Sequence, residues 1–375
     1  MPAPMMNRRQ AGTLLGGAAL LPAFSGMAGC QGEAAMADSE GYYMPEEAEP
    51  HQCTFMQWPV NRTVHPDPVF LEMLQVSIAK VANSIAQFEP VVMLMAAEHQ
   101  PAARRRLSDA VNIWDIPTDD LWCRDSGPCF VRNDAGALAI RQFNFNGWGS
   151  KQVHRHDGKV AARIAARLGL PVLDNGLVGE PGGLEHDGQG TVIAHESSWV
   201  NPNRNKGSRE EIEALILEAV GAEKLIWAKG VYGEDITDYH IDALARFPQP
   251  GTVLIQLPDA ADIAYDPFAA SAYETHEFLA NARDARDRKL ELVTIAQPYD
   301  IRVAAEDFVA SYVNYYVCNS ALIGAQFGDA EADAEARSVL EDLYPDREII
   351  LLDVDPVGEV GGGIHCATQQ MPTSG

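Results

Sequence analysis

Positive charge is scarce in this chain. Its 375 residues hold 28 Lys and Arg against 53 Asp and Glu, a net charge of −25. Such a field repels phosphate backbones and anionic headgroups, so nucleic acid and acidic lipid are poor partners and cations are favoured ones. Metal spacing is lacking too: neither Cys123 with Cys129 nor His154 with His156 has the pattern of a zinc site. The glycine run Gly361-Gly362-Gly363 is not followed by the Lys-Ser/Thr of a phosphate loop, which argues against nucleotide binding. Between residues 50 and 372 there is no Pro/Gly/Ser linker and no strict repeat. Apolar residues make up 46% and charged residues 22%, the balance of a globular protein. The length is ample for a core that needs no covalent staple.

The N-terminal region reads differently. Residues 1–29 contain no acidic residue, carry Arg8-Arg9 and continue into an apolar, Gly/Ala-rich run from Ala11 to Leu21. A basic head, a short apolar stretch and small residues describe an export signal, and the paired arginines suggest the twin-arginine route. Two ends are open for it. Met27-Ala28-Gly29-Cys30 is close to a lipoprotein box, which would put a lipid, and the only membrane attachment, on Cys30; Ala35-Met36-Ala37 fits ordinary cleavage. Residues 1–37 are thus expected to be signal and cleavage region, 38–50 an acidic flexible tether, and 51–375 a single domain in the periplasm or cell envelope. Nothing in the sequence sets an oligomeric state.

Within that domain, strand-like and helix-like stretches alternate, which predicts one α/β domain. Strands are expected at 90–95, 112–116, 138–145, 191–195, 225–227, 252–257, 292–296, 312–317 and 348–352, each short, β-branched or aromatic, and bounded by Gly, Pro or Asp. Helices are expected at 70–85, 158–168, 208–220, 273–288 and 330–343. In the first, Leu71, Leu74, Ile78, Val81 and Ile85 make one apolar face; in the third, Ser208 and Glu211 have the spacing of a capping box. Of the six cysteines, Cys53, Cys123, Cys129 and Cys318 read as buried small hydrophobes.

Four polar clusters punctuate the ends of strands. Asp119-Asp120-Leu121-Trp122-Cys123-Arg124-Asp125 ends in a Gly-Pro turn, with Arg124 expected to pair locally and orient the loop. Glu180-Pro181-Gly182-Gly183-Leu184-Glu185-His186-Asp187 loads a glycine turn with carboxylates; Glu185, His186 and Asp187 read as turn and surface groups. In Tyr239-His240-Ile241-Asp242, extended backbone would point His240 and Asp242 the same way. The fourth, Gly361-Gly362-Gly363-Ile364-His365-Cys366, pairs a thiol with glycines that permit close backbone approach. Together they supply a thiol, a histidine and several carboxylates, but no lysine. A carboxylate site wants a cation, and a planar guanidinium can be gripped by two carboxylates through charge-assisted hydrogen bonds.

In this order, and together with Phe55-Met56-Gln57-Trp58-Pro59, Phe143-Asn144-Phe145-Asn146-Gly147-Trp148-Gly149, Asn201-Pro202-Asn203-Arg204-Asn205 and Cys366-Ala367-Thr368-Gln369-Gln370-Met371-Pro372, the clusters resemble the agmatine deiminase and bacterial-type peptidyl-arginine deiminase family. The likeness spans residues 50–372. It implies a pentein-type α/β propeller, five ββαβ-like units about a pseudo-fivefold axis, with no metal or organic cofactor and a small cationic guanidino substrate. It also implies Cys366 as nucleophile, His240 as acid and base, Asp125 and Asp242 as the carboxylates that grip the guanidinium, and Glu180 as an assisting group. Trp122 is either a stacking surface for the substrate or partly core.

Three positions depart from the family pattern. Tyr239 replaces a common Gly and is expected to add bulk at the substrate. Pro181 replaces another Gly. Ile236 stands where agmatine-selective members carry an acid for the distal amine, leaving Glu234, Asp235 and Asp238 as substitutes. Agmatine deimination is the leading expectation. Peptidyl-arginine deimination is the second, and an exported guanidino-binding protein without catalysis is the third.

Overall fold

The strongest periodic signals become elements with little change. Strands occupy Thr191–His195, Thr252–Leu257 and Glu348–Leu352, and a helix occupies Ala330–Leu343, all as expected. The helix Pro68–Ile85 starts where the Asp67 carboxylate accepts from the backbone N–H of Val69 and Phe70, and buries the expected face from Leu71 to Ile85. Such a cap contributes about 1 kcal/mol. The Ser208–Glu211 capping box forms at the start of Arg209–Val220, and Gly221, at φ 64°, ends that helix in the left-handed conformation glycine favours.

These observations come from a computed structural model that describes residues 41–303, 305 and 308–374. The export signal, Cys30 and both cleavage positions lie outside the described residues.

Among the described residues seventeen strands form five sheets, and all five repeat one pattern. A first strand runs antiparallel to a second, and the second connects through a helix to a third lying parallel beside it. The elements are β1 (Tyr42–Tyr43), β2 (His51–Gln57), α1 (Pro68–Ile85), β3 (Val91–Met95) and β4 (Val111–Asp115). Next come β5 (Cys129–Asn133), β6 (Leu138–Arg141), α2 (Val160–Leu168) and β7 (Val172–Leu173), then β8 (Leu184–His186), β9 (Thr191–His195), α3 (Arg209–Val220) and β10 (Lys224–Ala228). They continue with β11 (Ala245–Gln249), β12 (Thr252–Leu257), α4 (Pro267–Asn281) and β13 (Glu291–Ala296). The last are β14 (Tyr316–Cys318), β15 (Ala321–Ala325), α5 (Ala330–Leu343), β16 (Glu348–Leu352) and β17 (Thr368–Pro372). Four units are consecutive: β5-β6-α2-β7, β8-β9-α3-β10, β11-β12-α4-β13 and β14-β15-α5-β16. The remaining unit is assembled from both ends of the domain. β17 supplies the antiparallel strand beside β2, with Thr368 opposite Met56, and α1 leads from β2 to parallel β3. The residue two positions before β17 is Cys366, so pairing of the last strand with β2 fixes where the thiol sits.

Several expectations are corrected. Residues 41–50 are packed, not a tether: β1 pairs with β5, and Glu47 is buried against Arg124, Arg246 and His365. Acidic composition misled because that carboxylate answers buried charge brought from distant segments. Glu185 and Asp187 are buried as well, Glu185 against the Arg246 guanidinium and Asp187 as acceptor for the backbone N–H of Gln189 and Thr191. The expected strand at 312–317 begins only at Tyr316, because the Tyr312 N–H goes to the Gln256 side chain and the Asn314 carbonyl accepts from the His365 N–H instead of joining a ladder. The helix expected at 273–288 is shifted to Pro267–Asn281, capped by Asp266, and the stretch after it turns back on itself through Asp284. Finally, Ile241–Ala243 is a single 3-10 turn, so His240 and Asp242 do not alternate along a strand.

Candidate active site

Five chain segments meet, each just ahead of the antiparallel strand that opens its repeating unit. Asp125 lies in the helical turn Cys123–Ser126 before β5, and Glu180 precedes the turn Pro181–Gly183 before β8. His240 and Asp242 flank Ile241 before β11, Asn314 stands before β14, and Cys366 before β17. Their contacts close the group. His240 Nε2 lies 3.2 Å from Glu180 Oε2, and His240 Nδ1 lies 3.7 Å from Asp125 Oδ1. Cys366 Sγ is 3.5 Å from Asp242 Oδ2, and the Asn314 amide donates to Sγ at 3.2 Å and to the Asp242 carbonyl at 3.2 Å. All five residues proposed from sequence as catalytic are therefore neighbours.

Glycines let these segments approach. A methyl on Gly182 would stand 2.7 Å from Asp125 Oδ1, 2.9 Å from His240 Nδ1 and 3.1 Å from Asp242 Oδ2, so its bare backbone faces the middle of the site. Gly362 is overlaid by the Trp122 ring, and Gly363 by the Asn314 amide. Trp122 is buried in the largest apolar cluster and abuts the loop that carries Cys366. Tyr239 has a φ of 69°, in the left-handed region that glycine favours. Its ring stacks on His195 at 4.6 Å and meets Phe268 edge-on at 4.9 Å, within the adjoining core. The bulk expected at the substrate is thus turned into packing.

Residues that sequence reasoning left without a role surround these groups. The Trp148 indole N–H donates to Asp125 Oδ2 at 2.9 Å. Arg204, fully buried, bridges Glu180 Oε1 at 2.9 Å and Asp238 Oδ2 at 3.0 Å. His365 lies between Asp242 Oδ2 and Glu47 Oε2, 2.8 Å from each. Arg124 is an ion-pair partner, as expected, but not a local one: it pairs with distant Glu47 at 3.3 Å, and its backbone N–H donates to the Cys366 carbonyl at 3.0 Å. Trp148 and Arg204 lie in phrases the sequence had marked, but side-chain direction was needed to assign them.

Two carboxylate oxygens at the centre, Asp125 Oδ1 and Asp242 Oδ1, are buried without a hydrogen-bond donor. An unsatisfied buried acceptor is costly, and its presence calls for a ligand that donates. Burial pushes the Asp125 carboxyl up to about 6; the facing His240 works against this, while Glu180 and Asp242 add to it. Burial disfavours the His240 cation, yet Asp125 and the hydrogen-bonded Glu180 outweigh it and lift His240 to about 9. For Asp242, burial is overcome by the hydrogen bond and charge of His365, which bring its carboxyl below the usual range. Burial, Asp242 and Asp125 together hold the Cys366 thiol well above its ordinary value. Cys366 keeps partial exposure, whereas Cys53, Cys123, Cys129 and Cys318 are free, buried thiols, as expected. The site combines a reachable thiol, a protonated histidine and two carboxylates short of donors.

A family model described as Porphyromonas-type peptidyl-arginine deiminase matches residues 43–372. The chain belongs to this peptidyl-arginine deiminase family. Family membership marks it as an enzyme of the amidine-hydrolase type, acting on a guanidino group. It is 35% identical over 362 residues to the agmatine deiminase of Stutzerimonas stutzeri, covering 89% of this chain and 96% of that protein. Its structure is similar to that of the Enterococcus faecalis agmatine deiminase, with a TM-score of 0.81, 27% identity, and coverage of 90% of this chain and 97% of that one. An amidinotransferase from Microseira wollei has the same fold at 11% identity and a TM-score of 0.50, with 89% of this chain and 98% of that one covered. The fold is the pentein α/β fold.

Proposed function

We propose that the chain is an agmatine deiminase that converts agmatine and water to N-carbamoylputrescine and ammonia through a thiouronium on Cys366. The observation that carries this reading is the pair of carboxylates on either side of Gly182, Asp125 and Asp242, each with one oxygen (Oδ1) lacking a donor, and the second in contact with the thiol through Oδ2. A guanidinium placed there supplies both missing donors, and its carbon is positioned before Sγ.

The roles follow from charge. In the free site the carboxylates oppose ionisation of Cys366. A bound cation offsets them, the thiol proton is released, and the thiolate attacks the guanidinium carbon. His240, protonated at neutral pH, gives its proton to the departing nitrogen, and ammonia leaves. Water then adds to the thiouronium carbon while His240 takes back a proton. Collapse of that adduct forms the ureido carbonyl and expels the thiolate, which takes back from solvent the proton it gave up at the start, and the hydroxyl proton of the adduct converts ammonia to ammonium. Glu180, held by Arg204, keeps the imidazole in place.

The second reading, peptidyl-arginine deimination, draws support from the loop before His240. Asp235 accepts from Thr237 and the backbone N–H of Tyr239, and Asp238 pairs with Arg204 and Lys151, so neither is available to a distal amine; Glu234 is the exposed acid that remains. The convergence of five pre-strand segments supports a propeller of five blades around a pseudo-fivefold axis. The acid-free N-terminus with Arg8-Arg9 supports export to the periplasm or cell envelope, and mass analysis of the mature N-terminus from fractionated cells tests it by separating cleavage after Ala37 from lipid on Cys30.

Ammonia and ureido-product release from agmatine, free arginine and an arginyl peptide, with Cys366→Ala in parallel, tests the function. Agmatine turnover that disappears in the variant is expected. Turnover of the peptide alone would replace the first reading with the second. Binding of agmatine without any turnover would identify the non-catalytic binder.

A further inference from the structure

The catalytic thiol is preceded by a histidine that the reaction above does not use. His365 is 2% exposed, and each of its ring nitrogens faces a carboxylate oxygen at 2.8 Å: Nδ1 faces Asp242 Oδ2, and Nε2 faces Glu47 Oε2. An ionised carboxylate only accepts hydrogen bonds, so a ring between two of them satisfies both only when both nitrogens carry a proton. The surrounding charge points the same way. The buried groups facing this assembly are Glu47, Asp242 and Glu185 on the acidic side and Arg124 and Arg246 on the basic side. Three negative and two positive charges leave one negative charge, which a protonated His365 cancels. Beyond Asp242 the facing groups are Cys366, His240 and Asp125. Glu47 is fixed in turn, because its other oxygen accepts the Val317 N–H at 3.1 Å and Arg246 lies 3.0 Å from Oε2.

The consequence reaches the substrate. Asp242 Oδ2 is taken by His365, which leaves Oδ1 as the oxygen without a donor. Resting on the deiminase reading, we propose that His365 is a doubly protonated positioning residue, clamped by Glu47, that keeps Asp242 ionised with Oδ1 free for the guanidinium and offsets the Asp242 charge at Cys366. The packed segment carrying Glu47 is then part of the active-site support.

The test has two arms. Histidine ring nitrogen NMR on the wild-type protein at neutral pH, with the His365 signals assigned by their loss in His365→Gln, should show both nitrogens protonated. In Glu47→Gln at the same pH one ring nitrogen should have lost its proton. A neutral tautomer in the wild type overturns the inference, and this arm does not depend on turnover. In the second arm, His365→Gln should raise KM about tenfold to a hundredfold, since a charge-assisted hydrogen bond is lost. It should also bring Asp242 into the acid limb of kcat/KM beside Asp125, so that the limb steepens and shifts to higher pH, because the buried Asp242 carboxylate loses its partner. A profile that superimposes on the wild type overturns the inference, since a purely structural loss would scale the curve without shifting it. Absence of wild-type turnover on every guanidine would defeat the functional reading instead, leaving the NMR arm to decide the state of His365.

Discussion

The indole N–H of Trp148 donates to Oδ2 of Asp125 at 2.9 Å and thereby settles which carboxylate oxygen is left for a ligand. The indole is held there by a run of left-handed backbone, with Trp148 at φ 53° between Gly147 and Gly149. Oδ1, the other oxygen, lies beside His240 and the bare face of Gly182. Asp125 is thus oriented by a neighbour instead of by substrate, as Asp242 is on the other side.

Replacing either carboxylate should separate binding from thiol chemistry. Asp125→Asn keeps an oxygen and nearly the same shape but removes a buried charge that faces the guanidinium. Loss of one partner of such a pair costs about 2–5 kcal/mol, roughly 30-fold to several thousandfold in kcat/KM for agmatine. The same variant removes a charge that suppresses ionisation of Cys366, so the free enzyme should be alkylated faster by iodoacetamide at pH 7. Slower alkylation would show that Asp125 does not face the thiol electrostatically.

Activity should follow a bell-shaped pH profile. Asp125 must be ionised to hold the cation and titrates near about 6, so activity rises as pH climbs through that value. His240 must be protonated to release ammonia and titrates near about 9, so activity falls as pH climbs beyond it. Steady-state kcat/KM for agmatine between pH 5 and pH 10 checks both limbs. A profile flat up to pH 10 would remove His240 from the acid role.

Gly182→Ala should silence the site while sparing the fold. The added methyl would lie within 3.1 Å of Asp125, His240 and Asp242 atoms, in the space the guanidinium needs. We expect agmatine turnover to drop at least about a hundredfold, with thermal melting close to the wild type because the new group meets side-chain ends and not a packed apolar core. Near-normal turnover would place the substrate elsewhere.

Arg204→Met should be costly to stability. Arg204 is enclosed between Glu180 and Asp238, and its removal leaves two buried carboxylates with fewer partners. Breaking such a pair typically costs about 3–5 kcal/mol. Denaturant unfolding of the variant measures it, and a loss below about 1 kcal/mol would mean that water or Lys151 replaces the guanidinium at Asp238.

The sequence alone determined the local elements and the chemical inventory. Periodicity was enough for α1, α3 and α5 because one apolar face and its cap are written within a few turns of chain. The four glycine- and carboxylate-rich clusters were visible because a site that grips a cation at short range requires those residue types, and ordered motifs indicated their family. Tertiary structure decided the rest. Short first strands such as β8 and β11 escaped notice because Leu184–His186 is too brief to show an alternation and Ala245–Gln249 contains Pro248. Glu47 read as part of a tether because its acidic neighbours are in the sequence, whereas its three partners, Arg124, Arg246 and His365, come from distant segments. The roles of Trp148, Arg204, Asn314 and His365 depend on which way a side chain points across an interface between sheets, and hydrogen-bond direction of that kind is set only once five segments from separate parts of the chain have been brought together.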